Sequence, residues 1–247
     1  MLRLKNIKKD YVMADTTVKA LKGINISFRK NEFVSILGQS GCGKTTVLSL
    51  IAGLITPTDG EILINGKEEI KEENKLGYML QKDHLFPWRT IEKNVYLPLE
   101  IKKINNESNK KYAQELLDKY GLNLFKKKYP DQLSGGMRQR TALIRTLVSK
   151  PQILLLDEPF SALDYQTRLS VCEDVYSIIK AEKKTSILVT HDISEAISMS
   201  DKIIVLSARP AKVKSIFETN FTESSPLRRR ESKNFGVFFE KIWKELN

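Results

Sequence analysis

The chain has 247 residues, of which 41% are hydrophobic and 29% charged, a balance typical of a globular chain rather than a disordered one. It has no apolar run near the roughly 20 residues that span a bilayer, and its first residues lack the apolar stretch of a secretory signal. Two cysteines are too few for a disulfide framework, so we expect a reducing compartment. These features argue against integral membrane proteins, secreted mini-domains and zinc-finger arrays.

The formal net charge of +11 raises the question of a nucleic-acid partner. Most of the excess lies in residues 102–128, at net +5, and residues 207–247, at net +4, whereas residues 129–206 carry net −1. A lysine-rich middle segment is more often the solvated face of a helix than a groove for DNA. We therefore expect no nucleic-acid partner.

The first half of the chain alternates between strand and helix patterns. The short apolar run at 33–37 predicts a strand that is buried on both faces. After a glycine-rich turn, apolar residues recur at helical spacing and predict one buried helix face: Val47, Leu50, Ile51 and Leu54. Alternation over 61–65 with the pair Asn65-Gly66 predicts a strand and a hairpin turn, and residues 76–80 predict a further strand.

The second half begins with a segment of different composition. Residues 88–148 are rich in Lys and Asn and mostly helical in pattern, and three apolar runs at 153–156, 187–189 and 203–206 then predict buried strands. This order predicts an α/β fold with a helical insertion. The tail from about Phe221 ends in apolar residues at helical spacing, and we expect an amphipathic helix packed back on the domain.

Residues Gly38 to Thr45 match the P-loop pattern G-x-x-x-x-G-K-[ST] between a predicted strand and a predicted helix. Glycines let backbone N–H groups curl around a phosphate, and the helix start adds partial positive charge. Lys44 is expected to reach the β- and γ-phosphates, and the Thr45 hydroxyl to bind Mg²⁺. The predicted nucleotide-binding residues here are Gly38, Ser40, Gly41, Cys42, Gly43, Lys44, Thr45 and Thr46.

Cys42 has two interpretations. Its place among phosphate-binding amides at a helix start is an environment expected to lower the pKa of the thiol. A small spacer is the simpler role, and a reactive thiol beside the nucleotide is the alternative.

Asp157 and Glu158 directly follow an apolar strand, which is the form of a Walker B motif. Ligands of open α/β sheets bind at the carboxyl ends of the strands. We therefore expect Asp157 to hold Mg²⁺, directly or through water, and Glu158 to polarise the attacking water. General base catalysis of this kind contributes about 10²–10⁴-fold.

The segment Leu133 to Met137 places a serine and two glycines immediately before another helix. This arrangement builds a second anion-binding helix start, although one nucleotide already has its binding loop around Lys44. The second site needs a nucleotide from elsewhere, most simply from a second copy of the chain. An ordinary helix cap by Ser134 is the alternative.

With these motifs in this order, the chain resembles the nucleotide-binding subunit of an ATP-binding cassette (ABC) transporter, from about Leu2 to Leu206. The resemblance implies a P-loop NTPase (RecA-like) core with an N-terminal antiparallel β-subdomain and an inserted α-helical subdomain. It implies one cassette over 1–247, divided into a core at 1–87 and 149–220, a helical signature subdomain at 88–148 and a tail at 221–247.

The resemblance also implies roles for single residues. Gln81 matches the Q-loop glutamine that senses Mg²⁺ and the membrane partner, and His191 matches the switch histidine that contacts the γ-phosphate. Tyr11 falls where the family stacks an aromatic ring on adenine. The implied catalytic residues are Glu158, His191, Gln81 and Lys44, and the implied metal-binding residues are Thr45, Gln81 and Asp157.

The signature and D-loop residues are expected to act across a dimer. Ser134, Gly135 and Gly136 resemble the family signature, and Asp164 resembles the D-loop aspartate. Met137 departs from the usual glutamine of the signature. Because the methionine side chain cannot donate an amide hydrogen bond, we assign Met137 no direct polar contact. We assign the contact with phosphate to Ser134 and Gly136.

The resemblance implies ATP and Mg²⁺ as cofactors and a head-to-tail homodimer. It further implies separate permease subunits, a substrate-binding protein as an indirect partner, and a peripheral position on the cytoplasmic face of the inner membrane. Residues 85–95, 207–213 and 226–230 resemble the nitrate, sulfonate and taurine importers. An exporter ATPase subunit and a non-transport ATPase acting on nucleic acid or ribosomes remain alternatives.

Overall fold

A computed structural model of the protein describes residues 2–13, 15–66, 76–223 and 225–246. The chain forms two compact units, one of Met1–Glu73 with Lys183–Asn247 and the other of Asn74–Glu182. Within the described residues, no helix is both long and apolar enough to cross a membrane. The division into a core, a helical subdomain at 88–148 and a tail stays a prediction.

The elements follow one another along the chain as β1 (Leu2–Val12), β2 (Thr17–Phe28), β3 (Phe33–Leu37), α1 (Lys44–Ile51), β4 (Asp59–Ile64), β5 (Leu76–Met79), α2 (Ile91–Ile101), α3 (Glu107–Lys119), α4 (Gly135–Leu147), β6 (Ile153–Asp157), α5 (Tyr165–Ala181), β7 (Thr185–Thr190), α6 (Ile193–Met199), β8 (Lys202–Leu206), β9 (Val213–Glu218), α7 (Pro226–Glu231) and α8 (Lys233–Leu246). Short 3₁₀ turns at Asn123–Phe125 and Pro130–Gln132 precede α4.

The first unit contains a three-stranded antiparallel sheet in the order β2-β1-β4. Leu2 and Leu4 of β1 are buried and pair with Phe28 and Ile26 of β2, which are buried as well. Alternating side chains of a strand point to opposite faces, so this pattern gives the sheet one apolar face. Asn65 and Gly66 form a turn after β4, as the sequence predicted, and the return of that hairpin lies outside the described residues.

The first unit also contains four strands in the order β7-β3-β8-β9. Strand β3 runs parallel to β7 and β8, and β9 runs antiparallel to β8. Every residue of β3, β7 and β8 is buried. Strands covered on both faces read as continuous apolar runs, which is why the sequence predicted these three.

The prediction for the end of α1 was wrong. Val47, Leu50 and Ile51 are buried as expected, but the helix ends at Ile51 and Leu54 is exposed. Gly53 adopts a left-handed backbone with φ 70°, and the N–H groups of Gly53 and Leu54 bond back to carbonyls of the last turn. This glycine-based helix end stops the helix before its apolar pattern does.

The tail helix α8 packs on the first unit, as the sequence predicted. Ile242 is fully buried in an apolar cluster with Leu37 of β3, with Ile203 and Val205 of β8, and with Ile193 of α6. Aromatic residues of β9 and the tail cover this cluster: Phe217, Phe221, Phe235, Phe238 and Phe239. The cluster lies beneath the last residue of β3, directly before the P-loop.

The second unit combines a parallel strand pair, β5 and β6, with helices α2 to α5. Each of these helices begins at a residue whose side-chain oxygen accepts a backbone N–H of the first turn, and these residues are Thr90, Asn106, Ser134 and Asp164. Such caps satisfy N–H groups that a helix start leaves without partners. Two of them, Ser134 and Asp164, are predicted site residues.

Candidate nucleotide site

In the first unit, two adjacent parallel strands end side by side. Leu37 of β3 pairs with Thr190 of β7, so the next residues, Gly38 and His191, leave the sheet at the same edge. The carboxyl edge of parallel strands is where α/β sheets bind ligands. The fold therefore brings the P-loop and the predicted switch histidine to one place, and His191 is exposed there.

The P-loop curls around its own lysine. The buried Lys44 side chain donates from Nζ to the carbonyl oxygens of Gly38, at 2.8 Å, and Gln39, at 3.1 Å. The N–H of Cys42 donates across the loop to the Gln39 carbonyl at 3.2 Å. Gly43 caps α1 with φ 123° and no side-chain bond, so no side chain of its own blocks the helix start.

The other predicted P-loop residues divide into buried and exposed positions along the loop. Gly38 and Gly43 are buried, whereas Ser40, Gly41 and Thr45 are exposed. A phosphate approaching the loop would therefore meet exposed positions backed by a buried lysine, which is the arrangement that anion binding at a helix start requires.

The expectation of a lowered pKa for Cys42 was wrong. The side chain is 3% exposed, and a Cβ added to Gly38 would lie 2.7 Å from its Sγ atom. Burial disfavours the thiolate and raises the pKa of the Cys42 thiol, against the opposing charge of Lys44. The side chain thus fills the space beneath Gly38, which agrees with the spacer interpretation.

Tyr11 lies beside the start of α1. Its hydroxyl is 3.4 Å from Oγ1 of Thr46, two residues after Lys44. The ring is 37% exposed, and Nζ of Lys9 lies 5.2 Å from its centroid. An accessible aromatic ring next to the P-loop is compatible with stacking on a base, and that role stays a prediction.

In the second unit, the ends of β5 and β6 repeat the arrangement seen for β3 and β7. Met79 pairs with Leu156, so Gln81 and Asp157 follow at one edge. Asp157 is buried, and its Oδ2 accepts the hydroxyl of Tyr78 at 3.2 Å. No local sequence pattern marks Tyr78, because its contact with Asp157 depends on the pairing of the two strands.

Gln81 and Glu158 are linked through Ser161. The Gln81 amide donates to Oγ of Ser161 at 3.2 Å, and that hydroxyl donates to the Glu158 carbonyl at 3.0 Å. Glu158 has a left-handed backbone with φ 44°, which costs a non-glycine residue energy and is typical of functional sites. The link uses the amide nitrogen of Gln81 and not its oxygen, which is the atom that can bind a metal ion.

The signature segment forms a compact helix start. The hydroxyl of the exposed Ser134 accepts the N–H of Met137 at 3.3 Å. A Cβ on Gly135 would lie 3.1 Å from Leu163, and one on Gly136 would lie 2.9 Å from Val171. The glycines thus let α4 begin against Leu163 and α5, where larger residues would collide.

Asp164 caps α5 beside that helix start. Its Oδ1 accepts the N–H of Thr167 at 3.0 Å. Hydrogen bonds from the side chain and then the backbone N–H of Thr167 lower the pKa of the Asp164 carboxyl group. Ser134 caps α4 through its contact with the N–H of Met137, as the alternative interpretation expected. The phosphate role of Ser134, Gly135 and Gly136, and the role of Asp164 across a dimer, stay predictions.

A family model described as "ABC transporter" matches residues 21–161. An uncharacterized ABC transporter ATP-binding protein, YtlC of Bacillus subtilis, is 48% identical over 248 residues, which cover 100% of this chain and 95% of that protein. The chain belongs to the ABC transporter family. It is an ATPase of this family, and the predicted P-loop NTPase fold with an antiparallel β-subdomain and a helical insertion is confirmed.

Two further relatives of this ABC protein are informative. The aliphatic sulfonates import ATP-binding protein SsuB of Bacillus cereus is 39% identical over 240 residues, covering 97% of this chain and 93% of SsuB. A solved dimeric structure of the ATP-binding cassette MJ0796, in a post-hydrolysis state with ADP and Pi, superposes with a TM-score of 0.74 at 33% identity. That match covers 90% of this chain and 100% of the other.

The raised pKa of Cys42 predicts slow alkylation of its thiol. In a Cys172→Ala variant, which leaves Cys42 as the one thiol, we expect iodoacetamide to react far more slowly at pH 7 than with a small thiol such as glutathione. The rate should keep rising with pH beyond the ordinary thiol pKa of about 8.5, because the thiolate forms late. Rapid labelling at pH 7, followed by mass spectrometry, would show a low pKa instead.

Proposed function

We propose that this chain is the ATP-hydrolysing subunit of an importer, in which two copies bind ATP head to tail and drive solute uptake through separate permease subunits. The observation that carries the proposal is the presence of two glycine-rich helix starts on one chain, at α1 and at α4. The chain would act peripherally on the cytoplasmic face of the membrane, with a substrate-binding protein as an indirect partner.

The two helix starts differ in a way that suits a shared nucleotide. The first has the P-loop and Lys44, which can neutralise the β- and γ-phosphates. The second has Ser134 with two glycines and no lysine within the signature. A second copy that places its signature on the γ-phosphate would complete the site. The dimeric MJ0796 cassette structure, with ADP and Pi bound, supports pairing of two such cassettes.

The predicted metal-binding residues are chemically suited to Mg²⁺. Thr45, Gln81 and Asp157 offer a hydroxyl, an amide and a carboxylate oxygen, and Mg²⁺ prefers oxygen ligands. The Gln81 oxygen is spared because the nitrogen makes the bond to Ser161. When bound with ATP, Mg²⁺ neutralises charge on the β- and γ-phosphates.

In the proposed mechanism, Lys44 and the loop amides position ATP, and Glu158 accepts a proton from the attacking water. His191 contacts the γ-phosphate. Gln81 connects the metal-binding residues to the permease surface. Closure of the dimer is favoured because only the closed state offers the γ-phosphate both surfaces.

A stacked aromatic pair in the second unit suits a permease contact. Trp88 is 71% exposed and stacks on Phe86 with ring centroids 4.9 Å apart. The buried Asn94 side chain holds this loop by accepting the N–H of Phe86 at 2.7 Å and donating to the carbonyls of Phe86 and Arg89. A rigid, exposed indole is typical of a residue that a partner covers.

The SsuB relative supports import of an aliphatic sulfonate. Nitrate and taurine stay in the proposed solute class because residues 85–95, 207–213 and 226–230 resemble the nitrate, sulfonate and taurine importers. No observation on this chain favours export. Selectivity for one solute would reside in the permease and the substrate-binding protein, because the cassette contacts only ATP and the permease in this proposal.

Glu158→Gln should bind ATP normally and accumulate as an ATP-dependent dimer, because the amide cannot accept the proton from water. We expect turnover to fall by about 10²-fold or more. Size-exclusion chromatography with and without ATP would detect the dimer, and phosphate release would give the rate. Turnover at the parent rate would show that Glu158 is not the base.

Ser134→Arg should block hydrolysis without blocking binding at the P-loop, because the bulky cation fills the surface that the partner copy presents to the γ-phosphate. Lys44→Ala is the matched control and should lose ATP binding itself. Equilibrium binding of a fluorescent ATP analogue separates the two effects. Unchanged turnover of the Ser134 variant would argue against the sandwich dimer.

The transport assignment predicts ATP-dependent uptake in proteoliposomes that contain the chain with its permease. An aliphatic sulfonate, taurine and nitrate should be tested in parallel with the substrate-binding protein present, and Glu158→Gln provides the inactive control. ATPase activity stimulated by nucleic acid with a steep salt dependence would instead indicate the non-transport alternative.

A further inference from the structure

The C-terminal part of the first unit bonds to the P-loop at two points. The Arg209 guanidinium, in the loop between β8 and β9, donates to the Gly41 carbonyl at 2.6 Å. The Gln39 side chain donates from Nε2 to the Leu246 carbonyl, in the last turn of α8, at 3.0 Å. Neither residue was among the predicted site residues, although Arg209 lies in the segment that resembles the importer subfamily.

The P-loop needs such external contacts because of its composition. Gly41 and Gly43 have φ values of 75° and 123° and no side chains to pack. Glycine has the widest backbone freedom of any residue, so holding it in one conformation has the largest entropic cost. The shape that suits a phosphate must therefore be imposed by neighbouring groups.

The bond from Arg209 fixes the orientation of one peptide unit. A trans peptide is planar, and its C=O and N–H groups point in opposite directions. With the Gly41 carbonyl held by Arg209, the N–H of Cys42 is turned across the loop, where it donates to the Gln39 carbonyl at 3.2 Å. The Gln39 carbonyl also accepts a hydrogen bond from Nζ of Lys44. The orientation of the Gly41–Cys42 peptide therefore sets the curve of the loop around Lys44.

Both supports are themselves held in place. The backbone of Ala211, two residues after Arg209, exchanges hydrogen bonds with Ala20 and Lys22 of β2 at 2.9 Å each. At the end of α8, Nζ of Lys214 in β9 donates to the Glu245 carbonyl. Ile242 is fully buried in the cluster that includes Leu37, next to Gly38. The contacts thus join the loop to rigid elements.

We propose that Arg209 and Gln39 are positioning residues that hold the P-loop in its phosphate-binding shape, so that the β8–β9 loop and α8 support nucleotide affinity. The inference rests on the proposed binding of ATP at this loop. Arg209 acts through the Gly41 peptide. The bond from Gln39 also satisfies a carbonyl that the end of a helix leaves without a partner.

The test compares four variants of the full chain for binding of a fluorescent ATP analogue. We expect Arg209→Ala to raise the Kd about tenfold, as for loss of a hydrogen bond from a charged group, and Gln39→Met to raise it about threefold. Arg209→Lys should restore part of the affinity, because an ammonium group can donate to the same carbonyl. Arg228→Ala removes an exposed charge from α7 and is the matched control, with unchanged Kd.

Steady-state kinetics and salt dependence separate positioning from direct contact with phosphate. A positioning role predicts a raised KM for ATP with kcat changed less than about twofold, and the same salt dependence of Kd as the parent chain, because no phosphate charge is lost. A flatter salt dependence in Arg209→Ala would mean that Arg209 binds phosphate directly and would overturn the proposal.

Two further outcomes distinguish failure of this inference from failure of the proposed function. Equal Kd values for the parent chain, Arg209→Ala and Gln39→Met would overturn the inference while leaving the proposed function intact. Failure of the parent chain to bind ATP would instead overturn the proposed function. Thermal unfolding of each variant identifies any that fail to fold, and the conservative Arg209→Lys and Gln39→Met then carry the test.

Discussion

The nucleotide site depends on one constraint, which is that backbone N–H groups must face an anion at the carboxyl edge of parallel strands. The pairing of Leu37 with Thr190 places the start of the P-loop beside His191. Backbone N–H groups and helix starts attract phosphate only when the neighbouring carbonyl oxygens point away from the phosphate. Glycines permit that geometry, and their freedom is offset by the buried Lys44, which bonds two carbonyls of the loop.

The second unit also places polar groups at the carboxyl edge of parallel strands, but there the groups are side chains. The pairing of Met79 with Leu156 brings Gln81 and Asp157 to one edge, where Ser161 and Tyr78 fix them through side-chain hydrogen bonds. The start of α4 is the predicted second anion-binding surface, and the signature has no lysine of its own. An ABC protein with these two incomplete surfaces is suited to function as a pair, which is the physical reason for proposing the head-to-tail dimer.

The excess positive charge is concentrated in two segments of the chain. The segments at 102–128 and 207–247 hold most of it, and residues 129–206 are close to neutral. Within the tail, Arg209 uses its charge on a carbonyl of the P-loop, and the buried Arg229 donates to the carbonyls of Ser198 and Ser200. Part of the charge of the tail is therefore structural, since it satisfies backbone oxygens.

The sequence by itself determined the strands at 33–37, 187–189 and 203–206, the P-loop, the Walker B end and the signature, because each is a local pattern whose chemistry depends on adjacent residues. It also indicated the packing of α8 from its apolar spacing. Only the tertiary structure decided the exposure of Leu54 and the raised pKa of Cys42, since both depend on where the chain turns and what covers it. The contacts of Arg209 with Gly41 and of Gln39 with Leu246 join residues 168 and 207 positions apart, and no periodicity encodes such a distance.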